Sequence, residues 1–241
     1  MASVDYSLNP YIGCSFGCSY CFAAAFVADE EKKAAWGTWV EVKENALDEL
    51  ARVDLKNKTI FMSSSTDPYQ PLEMQTGLTR SIVEFLSTPF RQPRLTVQTR
   101  SPIVARDLDV FALYDRVRIN MSITTDSEEV RKRFEPKCAS IDRRFEALEQ
   151  AVAKGIPVAV CICPMLPIEN PAAFARRIAA LKPRAVPMCR FHESDRPFSS
   201  TTRPEALAIA REIGWTEQEY ERTKAEMKSE LARYGVSGGG F

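Results

Sequence analysis

Cys14, Cys18 and Cys21 fall within eight residues, in the stretch Gly13-Cys14-Ser15-Phe16-Gly17-Cys18-Ser19-Tyr20-Cys21, with the spacing C-x3-C-x2-C. Thiolates are soft ligands that select zinc and iron–sulfur centres. A structural zinc site takes four ligands and an ordinary iron–sulfur cluster four cysteines, whereas this stretch offers three. Three thiolates hold three corners of a cubane and leave the fourth iron for a non-protein ligand, as a catalytic metal keeps one position open. Gly13 and Gly17 can take positive φ and wrap the backbone closely around a bulky centre. Phe16, Tyr20 and Phe22 supply an apolar shell that limits solvent access. The competing reading is a zinc knuckle completed by Cys138 or His192.

Seven cysteines is an odd number, and three so close together do not make a disulfide ladder. That favours a reducing compartment and metal-binding thiolates. The N-terminus lacks a basic stretch followed by an apolar one, and the small apolar run 23–28 is too short to span a bilayer. A cytoplasmic protein without a membrane partner is expected. Thirty-two basic and 32 acidic residues cancel, so no global field points to nucleic acid. Arg131-Lys132-Arg133, Arg143-Arg144 and Arg176-Arg177 read as solvated helix faces.

The elements that must position these residues alternate along the chain. Strand candidates are 5–9, 59–63, 94–99, 117–123, 157–163 and 185–189. The nearly unbroken apolar run Val158-Ala159-Val160-Cys161-Ile162-Cys163 suits a parallel strand covered on both faces. Between them lie helix patterns. Phe145, Leu148 and Val152 share a face that ends at Gly155. Asn170-Pro171 is an N-cap with proline at the first helical position, ahead of the stripe Phe174, Ile178 and Leu181. Asp126 with Glu129, and Thr216 with Glu219, have capping-box spacing. Six β/α units imply an α/β fold, a partial (β/α)6 barrel of the TIM type, with its chemistry at the C-terminal strand ends. Residues 1–190 would form the barrel. Residues 191–241 would form a helical extension packed on it, with Tyr220, Met227 and Leu231 at helical spacing.

The cysteine motif, with Tyr20 in the aromatic place of C-x3-C-x-aromatic-C, resembles the radical S-adenosylmethionine superfamily. The resemblance implies a [4Fe-4S] cluster on Cys14, Cys18 and Cys21 whose open iron chelates S-adenosylmethionine. It implies reductive cleavage of that cofactor to a 5′-deoxyadenosyl radical, which abstracts hydrogen from a substrate. A low-potential electron donor, a flavodoxin or ferredoxin, is implied too. Further segments resemble the spore photoproduct lyase-related group: Ser7-Leu8-Asn9-Pro10-Tyr11, Ser65-Thr66-Asp67-Pro68-Tyr69-Gln70-Pro71, Leu78-Thr79-Arg80, Thr99-Arg100-Ser101, Ser122-Ile123-Thr124-Thr125, Phe134-Glu135-Pro136 and Gly155-Ile156-Pro157. That likeness runs from about residue 6 to residue 168. It implies a nucleic-acid or nucleoside substrate; a small molecule or peptide is the alternative, and a non-catalytic cluster or zinc module a further one.

By the same resemblance, Ser63 to Asp67 would cradle the amino group of the cofactor, with Ser65 and Asp67 as ligands and free backbone amides completing the cradle. Arg100 would meet the carboxylate, Ser122 the ribose, and Tyr20 would serve both cofactor and radical chemistry. The plainer readings are an N-cap for Asp67 and a surface ion pair for Arg100. Two departures stand out. Serine occupies the place of the lyase's hydrogen-donating cysteine, and Phe22 replaces the second of its two tyrosines. An O–H bond is too strong to donate hydrogen, so Cys161 or Cys163, on one face of a strand, would have to act instead. Cys189 is a third contender, and His192 beside it a proton donor or a partner of Glu193.

Overall fold

The computed structural model describes residues 4–191 and 202–239; His192, Glu193, Gly240 and Phe241 lie outside the described residues. Among the described residues the strands are β1 (Tyr6–Leu8), β2 (Tyr11–Gly13), β3 (Val40–Val42), β4 (Thr59–Met62), β5 (Arg94–Thr99), β6 (Val117–Ser122) and β7 (Val158–Cys161). β1, β4, β5, β6 and β7 pair in that order, all parallel, in one sheet. Parallel neighbours need crossover connections, and here these carry the helices Leu78–Leu86, Leu108–Phe111 and Ile141–Ala153, while Pro171–Ala180 follows β7. The fold is the expected α/β partial barrel.

Strand alternation separates two chemistries. On the outer face, Ile60, Leu95 and Val117 lie in register, and so do Met62, Val97, Ile119 and Val158. These side chains are buried in one core with Ile82, Leu86, Phe145, Leu148, Phe174 and Ile178 of the covering helices. Burying each such side chain contributes about 1.5–3 kcal/mol, so the outer face carries the folding energy. On the inner face the rows are Phe61, Thr96 and Arg118, then Gln98 and Asn120, then Ser122 and Cys161. That face is polar.

Four local readings change. The segment 185–189 runs beside β7 without forming a regular strand: it makes one bridge, Ile162 to Met188, with Ile162 N–H donating to the Pro187 carbonyl at 2.9 Å and Cys189 N–H to the Ile162 carbonyl at 3.2 Å. Pro187 has no N–H to give back, so a regular ladder cannot extend. Asp126 is no helix cap: Ser127 caps Glu128–Phe134, while the Asp126 carboxylate accepts from Glu169 N–H and Asn170 N–H, both at 2.8 Å. Val152 is exposed, and Ala151 takes the buried place on its helix. The antiparallel pair β2–β3 was not expected at all. By contrast, Asn170 and Thr216 cap as expected, and the helix Glu217–Ala232 buries Tyr220, Met227 and Leu231. No helix among the described residues is long and apolar enough to cross a membrane.

Candidate active site

The cysteine loop follows β1 and β2 and is fastened at four points. Ser15 N–H donates to Gln70 Oε1 at 2.9 Å, and Thr66 Oγ1 donates to the Gly13 carbonyl at 2.5 Å. Ser19 N–H donates to the Phe134 carbonyl at 2.9 Å. The fourth is steric. Gly17 has φ +59° and packs on Gly37, where an added Cβ would come within 2.6 Å of the Gly17 Cα. Gly37 itself has φ +98°. Gly37→Ala is therefore expected to displace the loop and at least halve the iron retained after anaerobic reconstitution. An unchanged iron content would show that the loop tolerates the contact.

Cys14, Cys18 and Cys21 all line one cavity of about 790 Å³, towards the upper end of the roughly 300–1,000 Å³ range of small-molecule sites. Ser63, Ser65, Asp67, Gln98, Arg100, Ser122, Cys161, Cys163 and Cys189 line the same cavity, as does Tyr20. The structure thus brings the candidate cluster, cofactor and hydrogen-donor residues to one space; Cys138 does not line it, and His192 lies outside the described residues. Burial raises the Cys14 thiol well above its ordinary value, and burial beside Cys18 pushes Cys21 up to about 11. The sulfur of Cys138 stands 3.7 Å from that of Cys18. Two thiolates on one tetrahedral ion with arms of about 2.3 Å would be about 3.8 Å apart. Yet among the described residues no three His, Cys, Asp or Glu side chains stand close enough to share an ion. Three motif thiols that do not converge on one point suit separate corners of a cluster better than a zinc knuckle.

The strand ends after β4, β5 and β6 supply the remainder. Asp67 is buried, and its carboxylate accepts from Thr99 Oγ1 at 2.6 Å and from the backbone N–H groups of Arg100 and Tyr69, both at 2.9 Å. Burial raises its pKa against these donors. Ser64 N–H and Ser65 N–H both donate to Asn9 Oδ1 at 3.0 Å, so these amides are not free as the resemblance implied. Ser63 Oγ is buried without a partner. Burying a hydroxyl unpaired costs about 1–3 kcal/mol, and a polar ligand in the cavity would satisfy it. Ser122 Oγ accepts from Gln98 Nε2 at 2.9 Å, and Gln98 Oε1 accepts from Cys161 Sγ at 3.5 Å. Burial pushes the Cys161 thiol up to about 12. Cys163 and Cys189 stand with their sulfurs 2.8 Å apart.

A buried ionic cluster beneath the cysteine loop was not anticipated. Glu135 is fully buried; Oε2 accepts from Arg144 Nη2 at 2.5 Å, and Oε1 from Arg100 Nη1 at 3.1 Å and Thr124 Oγ1 at 2.8 Å. Tyr20 O–H also donates to Glu135, while Arg100 Nη1 donates to the tyrosine oxygen. Burial would push the Glu135 carboxyl up; Arg144, then Arg100 and the Tyr20 hydroxyl, outweigh it and hold it at about 2. Arg100 therefore makes an ion pair, but one whose carboxylate is fully buried. Arg131 and Arg144 are buried too, at 6% and 1% exposure, and are not solvated helix faces.

A family model described as the Radical SAM superfamily matches residues 8–180. An uncharacterized protein of Methanocaldococcus jannaschii is 34% identical over 162 residues, covering 67% of this chain and 61% of that protein. One of Acidianus two-tailed virus is 32% identical over 178 residues, covering 68% and 57%. The chain thus spans about three fifths of the length of these relatives. Among solved structures, a spore photoproduct lyase variant with bound AdoMet and dinucleoside spore photoproduct superposes with TM-score 0.67 at 15% identity, covering 97% of this chain and 75% of that one. A radical S-adenosylmethionine methyltransferase of Kitasatospora setae, with cobalamin and a [4Fe-4S] cluster bound, gives TM-score 0.59 at 14% identity, covering 86% and 39%. At such identities the structural likeness concerns the fold. The match of the family model over most of the chain settles the lineage: the chain belongs to the radical SAM superfamily.

Proposed function

We propose that this chain binds a [4Fe-4S] cluster and S-adenosylmethionine and uses them to abstract hydrogen from a substrate held in the barrel. The carrying observation is that the three motif cysteines and the strand-end residues Ser63, Arg100 and Ser122 line one continuous cavity. When bound, the reduced cluster and S-adenosylmethionine supply a 5′-deoxyadenosyl radical; the residues of the chain hold, orient and shield. Cys14, Cys18 and Cys21 hold the cluster. Arg100 offers the rest of its guanidinium to a carboxylate, the planar bidentate partner it suits. Its Nη1 is fixed by Glu135 and Tyr20, which sets the plane of the fork. Ser63 and Ser65 meet the amino group, and Ser122, held by Gln98, meets the ribose hydroxyls. Asp67 acts through the backbone at Arg100 and by its negative charge near that amino group.

Anaerobic reconstitution should give about four iron and four sulfide per chain. Reduction with S-adenosylmethionine should then release 5′-deoxyadenosine and methionine. An intact cluster that releases neither sinks the proposal.

A nucleic-acid or nucleoside substrate is supported by the likeness to lyase structures that hold a dinucleoside. Duplex binding that weakens steeply with salt would favour it, and no binding at low salt would favour a small molecule. Hydrogen return to the product falls to Cys161 or Cys163, since both thiols face the cavity where serine stands at 63–65. A thiol exchanges with solvent, so turnover in D2O is expected to place one deuterium in the product, and Cys163→Ser or Cys161→Ser to reduce that label at least tenfold. Full labelling in both variants would clear these thiols of the role.

A further inference from the structure

The cavity does not end below the cofactor region. It continues along the inner face to the N-terminal ends of the strands, where Arg94, Arg116 and Arg118 line it. Arg94 opens β5, and Arg116 immediately precedes β6. Leu95 pairs with Val117 and Thr96 with Arg118, so the three guanidiniums stem from adjacent positions of two neighbouring strands. Like charges on facing strands repel. Most arginines of this chain relieve such repulsion: Arg80, Arg100, Arg106, Arg131 and Arg144 all reach carboxylates. These three form no ion pair and no side-chain hydrogen bond among the described residues. Arg118 Nε is buried without a partner. Asp5, just before β1, accepts from Thr59 N–H at 2.7 Å through its carboxylate and does not pair with Arg94.

A second observation points the same way. Asn120 lies between Arg118 and Ser122 on their face of β6, is 1% exposed, and has both amide atoms buried and unpaired. From Arg118 to Ser122 is four residues, about 13 Å of strand. The cavity thus has cations at one end and the radical site at the other, with the unsatisfied Asn120 amide buried between them just outside its lining.

We infer that the N-terminal end of the bore is a phosphate-binding site, and that the substrate is an elongated phosphate ester. Its phosphoryl group meets Arg94, Arg116 and Arg118 while its reacting end lies beside Ser122. Guanidinium forks match phosphate oxygens bidentately, and three of them suit a dianion better than a single carboxylate. A duplex cannot thread a bore of this volume, so the phosphate enters on a small molecule or nucleotide. The assignment of substrate rests on the radical reading above; the anion site itself does not.

The test uses reconstituted, cluster-loaded protein and pyrophosphate as the probe, read by thermal shift. Wild type is expected to show a saturable rise in melting temperature. In Arg118→Ala, and in the Arg94→Gln, Arg116→Gln double variant, half-saturation should move at least tenfold higher. Arg184→Ala, an exposed arginine outside the cavity, should behave as wild type. Should Arg118→Ala fold poorly, the double variant gives a separate reading: without ligand it should melt above wild type, since it removes unpaired like charges. No saturable shift, equal shifts in wild type and the cavity variants, or stronger competition by duplex DNA than by pyrophosphate at equal phosphate each overturn the site. Release of 5′-deoxyadenosine by the same wild-type preparation reports separately. Its absence with pyrophosphate binding intact sinks the radical reading and leaves the anion site standing.

Discussion

Glutamine in place of Glu135 is expected to destabilise the protein by about 3–5 kcal/mol, because it leaves the buried Arg144 and the part-buried Arg100 guanidiniums beside an uncharged partner. Arg144 is 1% exposed and cannot turn to water. Its Nη1 and Nε are already given to the Ser122 and Ala139 carbonyls. The pH dependence gives the sign. The Glu135 carboxyl is lowered to about 2 from an ordinary value of 4.5. A lowered acid stabilises fully above its unfolded pKa and loses that contribution as pH falls through its folded pKa. The window therefore opens below about pH 4.5 and closes near pH 2, and a shift of this size corresponds to roughly 3 kcal/mol. Urea unfolding at pH 7 should show the loss in Glu135→Gln. From pH 4.5 down to pH 2 the gap between wild type and variant should narrow towards zero. A variant within 1 kcal/mol of wild type at pH 7, or one with a constant gap through that window, would refute this account of the ionic cluster.

Serine at Cys14, Cys18 or Cys21 is expected to remove the cluster and, with it, release of 5′-deoxyadenosine by more than about 100-fold. Loss of groups that merely support a metal ligand already costs about 10–100-fold, and a hydroxyl is a harder, poorer ligand than a thiolate. Cys138→Ser is the discriminating control. Its sulfur touches that of Cys18, yet the motif already supplies three ligands, so this variant should keep iron, sulfide and the visible absorbance of the cluster. Loss of metal in Cys138→Ser, with zinc rather than iron in the wild type, would revive the zinc knuckle.

The part of this site that was legible in the sequence is the part made by local rules. Gly13 and Gly17 do take positive φ, at +80° and +59°. Asn170 and Thr216 cap their helices, and the alternation within β7 places Cys161 in the cavity. What was not legible depends on partners far away in the chain. Arg143-Arg144 looks like any charged helix pair, and only the fold tells that Arg144 faces inward onto Glu135, itself 35 residues from Arg100. The pair β2–β3 joins three-residue strands 27 residues apart, too short for any periodicity to show. Arg118 and Asn120 alternate with Ile119 and Met121, the pattern of an ordinary half-exposed strand. Only the fold places that face on the side of the cavity.

That division between faces bears on how such a chain can change over time. Most side chains that secure the barrel lie on the outer face of the sheet, and the polar ones that would meet a substrate lie on the inner face. A substitution at Arg118 or Asn120 removes no packed methyl group and relieves an unpaired polar atom. Variation along the bore is therefore close to neutral for folding. The scaffold can drift from one substrate to another without passing through unstable intermediates, while the cysteine end stays fixed.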